Sequence, residues 1–227
     1  MKESTNNKQY NEVKISPNIE QEYQGIYGPY KITIDDKREV NKYRVSVLIT
    51  AISFTFGLIQ WIVFGPTWAW VWLISIAIGL GLSLNWIHIY ISPLHQGLKL
   101  LWLIGSMGLI ATLIINGPSQ MLSKLVNEPN WIFAIGPLFA ALTGLGFKEF
   151  FCFRRAEAIG LTALIPIALV GHLGTFLDRN LIMAMLVISS LLMTIMASRK
   201  FGMEAASDIG DKSVFEYLQK KSLLENS

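Results

Sequence analysis

The stretch VSVLITAISFTFGLIQWIVF, residues 45–64, carries no Asp, Glu, Lys or Arg. Its length, at about 1.5 Å of helical rise per residue, covers roughly the 30 Å hydrocarbon core of a bilayer. Five further runs of the same kind follow, at Thr67–Ile91, Leu98–Ile115, Trp131–Phe147, Ala158–Leu177 and Leu181–Ala197, with Lys99 near one edge as the only charge in any of them. A soluble domain spreads charge over most of its surface. Here charged residues are 15% of the chain and are confined to its two ends and the short connections, so a soluble fold is excluded. The fold class expected is all-α: a polytopic membrane protein with a bundle of six transmembrane helices.

The expected organisation has three parts. Residues 1–44 form a cytoplasmic segment, 45–200 the six-helix membrane domain, and 201–227 a cytoplasmic tail. Up to about residue 22 the chain is rich in Asn, Gln, Glu, Lys and Ser and reads as disordered. No apolar stretch before Val45 has the form of a cleaved secretory leader, so the first span is expected to insert and to stay. From Tyr23 to Tyr30, Gly25, Gly28 and Pro29 mark a turn among aromatics that pack on the membrane surface or on the bundle. Thr33 followed by Asp36 predicts a helix start, with the helix running through Arg44 into the first span. In the tail, Ser213 and Glu216 form an S-x-x-E capping box and predict a short amphipathic helix at about Ser213–Leu224. Pro137 and Pro166 fall inside spans and are expected to kink them. No internal repeat is evident.

Basic residues set the orientation. Lys31, Lys37, Arg38, Lys42 and Arg44 precede the first span; Lys99, Lys148, Arg154 and Arg155 flank later ones; Arg199 and Lys200 follow the last. With six spans all of these lie on one side, and only Lys124 and Arg179 oppose them. The positive-inside rule then places both termini in the cytoplasm. Trp and Tyr at the span ends fit interfacial belts. The small positive balance is a topology signal and carries no nucleic-acid footprint, since no basic stripe interleaves with aromatics.

The stretch GFKEFFCFRRAEA, residues 146–158, is the richest in polar side chains. It reads as a lipid-anchored connection with Lys148–Glu157 and Glu149–Arg pairing, its arginines and lysine snorkelling to headgroups; an alternative continues the fourth helix to Phe153. A sharper reading groups Glu149, Cys152, Arg154 and Arg155 with His88 and His95 of the second connection, because the topology gives all six one depth. That set contains ligand types for a metal, but its spacing matches no metal signature, and no metal site is assigned. Cys152 is the only cysteine, so no intramolecular disulfide can form. His172 is the one ionisable group deep in a span. It is a functional candidate by default, against the plainer reading of a neutral imidazole bonded to a carbonyl, Thr, Ser or Gln60. Asp178 and Arg179 read as a solvated turn or salt bridge. Gly136, Ala140 and Gly144 form a small-residue stripe for another helix, within the bundle or between copies.

The segments YGPYKIT (27–33), DKREVNKYR (36–44) and GFKEFFCFRR (146–155) resemble a family of uncharacterised integral membrane proteins of cyanobacteria and plastids, over roughly Tyr23–Met203. The resemblance implies a plasma, thylakoid or plastid membrane and carries over no catalytic residue and no cofactor. There is no acidic relay inside the spans, and no P-loop, HExxH, GxGxxG or GxSxG motif. The expected function is therefore a non-enzymatic assembly, scaffold or accessory factor with the lipid bilayer and other membrane proteins as partners. The alternatives are a small-solute transporter or channel with a polar path past His172, and a membrane-embedded enzyme or metal or haem sensor.

Overall fold

The structure, a computed structural model, describes residues 21–87, 92–214 and 217–218. These fall into two compact units. One holds the described residues up to Asp36 and from Asp211 onward; the other is Lys37–Gly210.

The small unit is built on a hairpin. Strand β1 (Gln21–Gly25) pairs antiparallel with β2 (Gly28–Ile32), and Tyr23 lies opposite Tyr30 with their rings 5.7 Å apart. Gln21 and Glu22, expected in a disordered lead-in, are thus strand, and the expected turn is the tip of the hairpin. Glu, Gln and Pro are weak strand formers, which hides the hairpin in the sequence. A two-stranded hairpin is marginal alone, and here the later segment supplies acceptors to the turn. The Ile26 amide donates to Asp211 Oδ2 at 2.6 Å and the Tyr27 amide to Ser213 Oγ at 3.1 Å, while the Tyr27 ring stacks on Tyr217 at 4.1 Å. The Thr33 and Asp36 pair caps as its spacing predicts: the Asp36 amide donates to Thr33 Oγ1 at 3.2 Å and the Thr33 amide to Asp36 Oδ2 at 2.7 Å. Of the expected tail helix, positions 212–214 are helical, whereas Glu216 and 219–224 lie outside the described residues, as does the lead-in over 1–20.

Helix α1 (Ile34–Phe64) is the longest element and continues directly from the cap into the first span. A 3-10 turn at Pro66–Trp68 leads into α2 (Ala69–Trp86), followed by α3 (Ser92–Asn116), the short α4 (Met121–Asn127), a second 3-10 turn at Pro129–Trp131, α5 (Ile132–Phe153), α6 (Ala156–Leu173), α7 (Arg179–Lys200) and α8 (Ala205–Ile209). Six of the described helices are long and apolar enough to cross a membrane: α1, α2, α3, α5, α6 and α7. Several ends differ from the sequence reading. The third span starts at Ser92, since Pro93 fits a first helical turn where no amide is needed; His95 is therefore on α3 and not in a connection. The fifth span stops at Leu173. The fourth runs to Phe153, which makes Lys148, Glu149 and Cys152 helical, and Arg154 ends it in the left-handed conformation at φ 49°. Pro137 and Pro166 both sit inside continuous helices.

Within the large unit the spanning helices close a ring. Ser53 of α1 meets Ser75 of α2 at 2.7 Å, and Thr55 of α1 meets Thr194 of α7 at 3.0 Å. The Trp102 indole of α3 donates to the Ala77 carbonyl of α2 at 2.7 Å. Because lipid is as apolar as Leu, close backbone approach and such hydrogen bonds hold the helices together in place of a hydrophobic drive. Outward faces are correspondingly apolar and exposed, as at Ile110, Ile114 and Ile115 on α3. The tightest backbone approach joins α3 to α5, and it uses glycines of α3 rather than the expected stripe, of which only Gly144 takes part. A Cβ on Gly105 would strike the backbone nitrogen of Leu138, and one on Gly108 the carbonyl oxygen of Ala134. Of the stripe itself, Gly144 meets Leu98 of α3, Gly136 faces only its own Ile132, and Ala140 is exposed.

Gly108→Ala is accordingly expected to lower the melting temperature of the detergent-solubilised protein by several degrees, at a cost of about 1–3 kcal/mol from overpacking. Gly97→Ala, where an added methyl meets nothing within 4 Å, should leave it unchanged or raise it slightly. Equal melting of the two variants would show that the α3–α5 contact is not close-packed.

Candidate functional site

Two polar or hollow regions interrupt the bundle, one at each end. At the end where α1 enters and α7 leaves, charge is buried. Glu149 and Lys200 have no exposed surface, and Asp208 is buried as well. The Lys200 ammonium donates to Asp208 Oδ1 at 2.6 Å and lies 2.7 Å from Glu149 Oε2. The Tyr43 hydroxyl donates to Glu149 Oε1 at 2.6 Å, and Lys148 Nζ reaches the same oxygen at 3.2 Å. Arg44 brings Nε and Nη2 to Asp208 Oδ2, both at 2.7 Å, and spends further N–H groups on the carbonyls of Met203 and Glu204. Three cations thus face two carboxylates. The surplus positive charge meets ring faces, with both lysine ammoniums about 5 Å from the centres of Tyr43 and Phe153. Burial pushes the Asp208 carboxyl up, but the Lys200 ammonium and its hydrogen bond, with Lys148 and Arg44, outweigh this and hold it below its ordinary 3.8.

The sequence reading caught part of this cluster and misassembled the rest. Glu149 pairs with Lys148 and Lys200, not with an arginine. The expected Lys148–Glu157 pair is replaced by Glu157 with Arg199 at 3.0 Å and Arg155 at 3.6 Å. Arg155 donates to the Met203 sulfur at 2.9 Å, and Arg154 and Cys152 are exposed. His95 bonds the Leu84 carbonyl at 2.7 Å on a different pair of helices. His88 lies outside the described residues. The five described members of the group therefore do not converge, because equal depth says nothing about which side of each helix a residue occupies. Among the described residues no cluster has the composition of a metal site. Tyr43, Arg44, Lys200 and Asp208 were missed as site residues: the first three read as interface and topology markers, and Asp208 as part of a polar tail. A usable signal was there, since Arg44, Lys148 and Lys200 all sit on helix turns that also present core residues.

At the opposite end the bundle holds an apolar chamber of about 130 Å³. Its walls are Phe54 to Trp61 of α1, Ala69 to Ile76 of α2, Ile132 to Phe139 of α5, Ala168 to His172 of α6 and Arg179 to Leu186 of α7, with Leu122, Leu125 and Val126 of α4 completing it. Only His172 and Arg179 among the lining residues are ionisable. His172 Nε2 is 2.8 Å from the Leu125 carbonyl, so it carries the proton and donates, tying α6 to α4. The plainer reading of a carbonyl-bonded imidazole describes this geometry. The polar path expected between α5 and α6 for a solute channel is not what lines this space. A second cavity, of about 330 Å³, shares Trp61, Val126, Arg179 and Met183 with the chamber and adds Pro66, Ser123, Asn127 and Asn180. Asp178, read as half of a charged turn, caps α7 by accepting from the Asn180 amide at 3.0 Å.

Removing Lys200 while keeping its length tests the buried network. Lys200→Met leaves two desolvated carboxylates facing each other and is expected to cost about 3–5 kcal/mol, more than Lys148→Met, whose ammonium contacts one carboxylate. Acid should act in the same direction. The depressed Asp208 contributes stability fully above its ordinary 3.8 and loses it as pH falls through its lower folded value. Thermal melts of wild type and Asp208→Asn from neutral to acid pH check this: the gap between the two should close in that acid window.

No curated protein and no solved structure matches the chain. The family model described as "Uncharacterized integral membrane protein (DUF2301)" matches residues 82–217, which spans α3, α5, α6, α7 and most of the buried network. The chain belongs to this family of integral membrane proteins.

Proposed function

We propose that the protein is a non-catalytic accessory protein of the membrane that holds a lipophilic small molecule in the chamber among α1, α2, α5, α6 and α7. This keeps the accessory role expected from the sequence and gives it an object. The observation that carries it is a preformed cavity in the bundle with almost wholly apolar walls, beside a second cavity with polar side chains in its lining. Ligand sites are typically concave, mainly apolar and lined by a few placed polar groups. An apolar hollow of this size, on the order of that which takes up benzene in an engineered protein, stays dry unless an apolar group fills it. A polar solute would lose its hydration there without replacement, which disfavours the transporter reading.

The cationic flanks favour a cytoplasmic position for both termini and for the Lys200 network. On that orientation the chamber occupies the outer half of the membrane. On α7 the lining runs from Arg179 through Ile182 and Met183 to Leu186, about 10 Å of helix, enough for the end of one hydrocarbon or prenyl chain.

Full-length protein in nanodiscs should bind a neutral polyene ester whose fluorescence rises in apolar surroundings. Leu186→Trp, at the deep end of the chamber, and Leu169→Trp, on its wall, should each reduce binding at least about tenfold while melting near wild type. Leu100→Trp, on the lipid-exposed side of α3, should leave binding unchanged. Equal binding by all four proteins would remove the chamber as the site.

A further inference from the structure

The second cavity gives the ligand a chemistry, and the argument rests on the chamber reading above. Four residues, Trp61, Val126, Arg179 and Met183, line both spaces, so the apolar chamber and the mouth adjoin along a shared wall. The side chains that the mouth adds are Pro66, Ser123, Asn127 and Asn180, the last three each with an N–H or O–H to donate, and its only charged lining residue is Arg179.

The neighbouring acids are otherwise engaged. Asp178 accepts from the Asn180 amide at 3.0 Å as the α7 cap, and Glu128 is paired with Lys124 and accepts from the Trp131 indole at 3.0 Å. Arg179 itself is held by one arm: Nη2 donates to Asn127 Oδ1 at 3.2 Å, which fixes the guanidinium at the mouth and leaves donors over. A guanidinium positioned by a side-chain carbonyl, with further donors beside it, suits a planar or tetrahedral oxyanion. The start of α7, a 22-residue helix, adds a field of the same sign.

We propose that the site takes a single-chain anionic amphiphile, its carboxylate or phosphate monoester on Arg179 at the mouth and its chain in the chamber. The two halves are matched in kind: charge with donors outside, hydrocarbon with Phe, Leu and Ile inside. Two chains would not fit side by side in the chamber volume, so a one-chain ligand is specified.

The test compares a long-chain polyene fatty acid with its methyl ester on the full-length protein in nanodiscs of zwitterionic lipid, at a pH where the acid is ionised. Arg179→Gln should weaken the acid about fivefold to tenfold and leave the ester unchanged, and added salt should weaken the acid alone. Lys124→Gln, a cation outside the mouth lining, should change neither, which separates a local contact from general surface charge. If Arg179→Gln moves acid and ester together, or moves neither, the anionic head is wrong while the chamber still stands. If wild type binds neither probe, or Leu186→Trp leaves both unaffected, the chamber reading itself falls.

Discussion

The bundle depends on one buried ammonium. Lys200 closes the last spanning helix between Glu149 of α5 and Asp208 of α8, with no surface left to water. Taking ions out of water is costly, and mutual attraction repays it only when geometry and surrounding hydrogen bonds are good. Here the network satisfies that condition through Tyr43, Arg44 and Lys148. Removing one partner would leave the others desolvated, so the arrangement tolerates few alternatives. It draws α1, α5, α7 and α8 to one point, which apolar packing in lipid would not do by itself.

The two ends of the membrane unit therefore differ in kind. One end is fixed by charge-assisted hydrogen bonds of defined direction. The other is walled by side chains that fill space without direction and leave a hollow. Dispersion contacts across such a gap are lost, so rigidity at the ionic end lets the apolar end remain open without the helices collapsing together. His172 supplies a directed bond on the chamber wall, to the Leu125 carbonyl of α4.

Much of the fold was legible because the bilayer imposes a single rule: a spanning backbone must satisfy itself in helices. Six apolar runs became six spanning helices, and the Thr33–Asp36 cap began α1 where its spacing said. What the pattern concealed was relational. The hairpin at Gln21–Ile32 depends on acceptors from Asp211 and Ser213, far along the chain. The α3–α5 contact uses Gly105 and Gly108, while the more regular Gly136-Ala140-Gly144 repeat leaves Ala140 exposed; spacing marks a face but not its partner. Lys148 reads as a snorkelling residue in sequence and Lys200 as a topology marker, and only the angular position of each helix turns them inward to Glu149. The chamber has no sequence signature, since its residues are those of any span.

The exposed thiol of Cys152 sits between Phe151 and Phe153 at the end of α5, and Phe153 covers both buried ammoniums. As the chain's lone sulfhydryl, it is the single position at which a maleimide dye is expected to attach. A membrane-impermeant reagent added from one side then reports sidedness from unmutated material. The attached fluorophore sits within a residue of the ionic lock and serves as its built-in strain gauge.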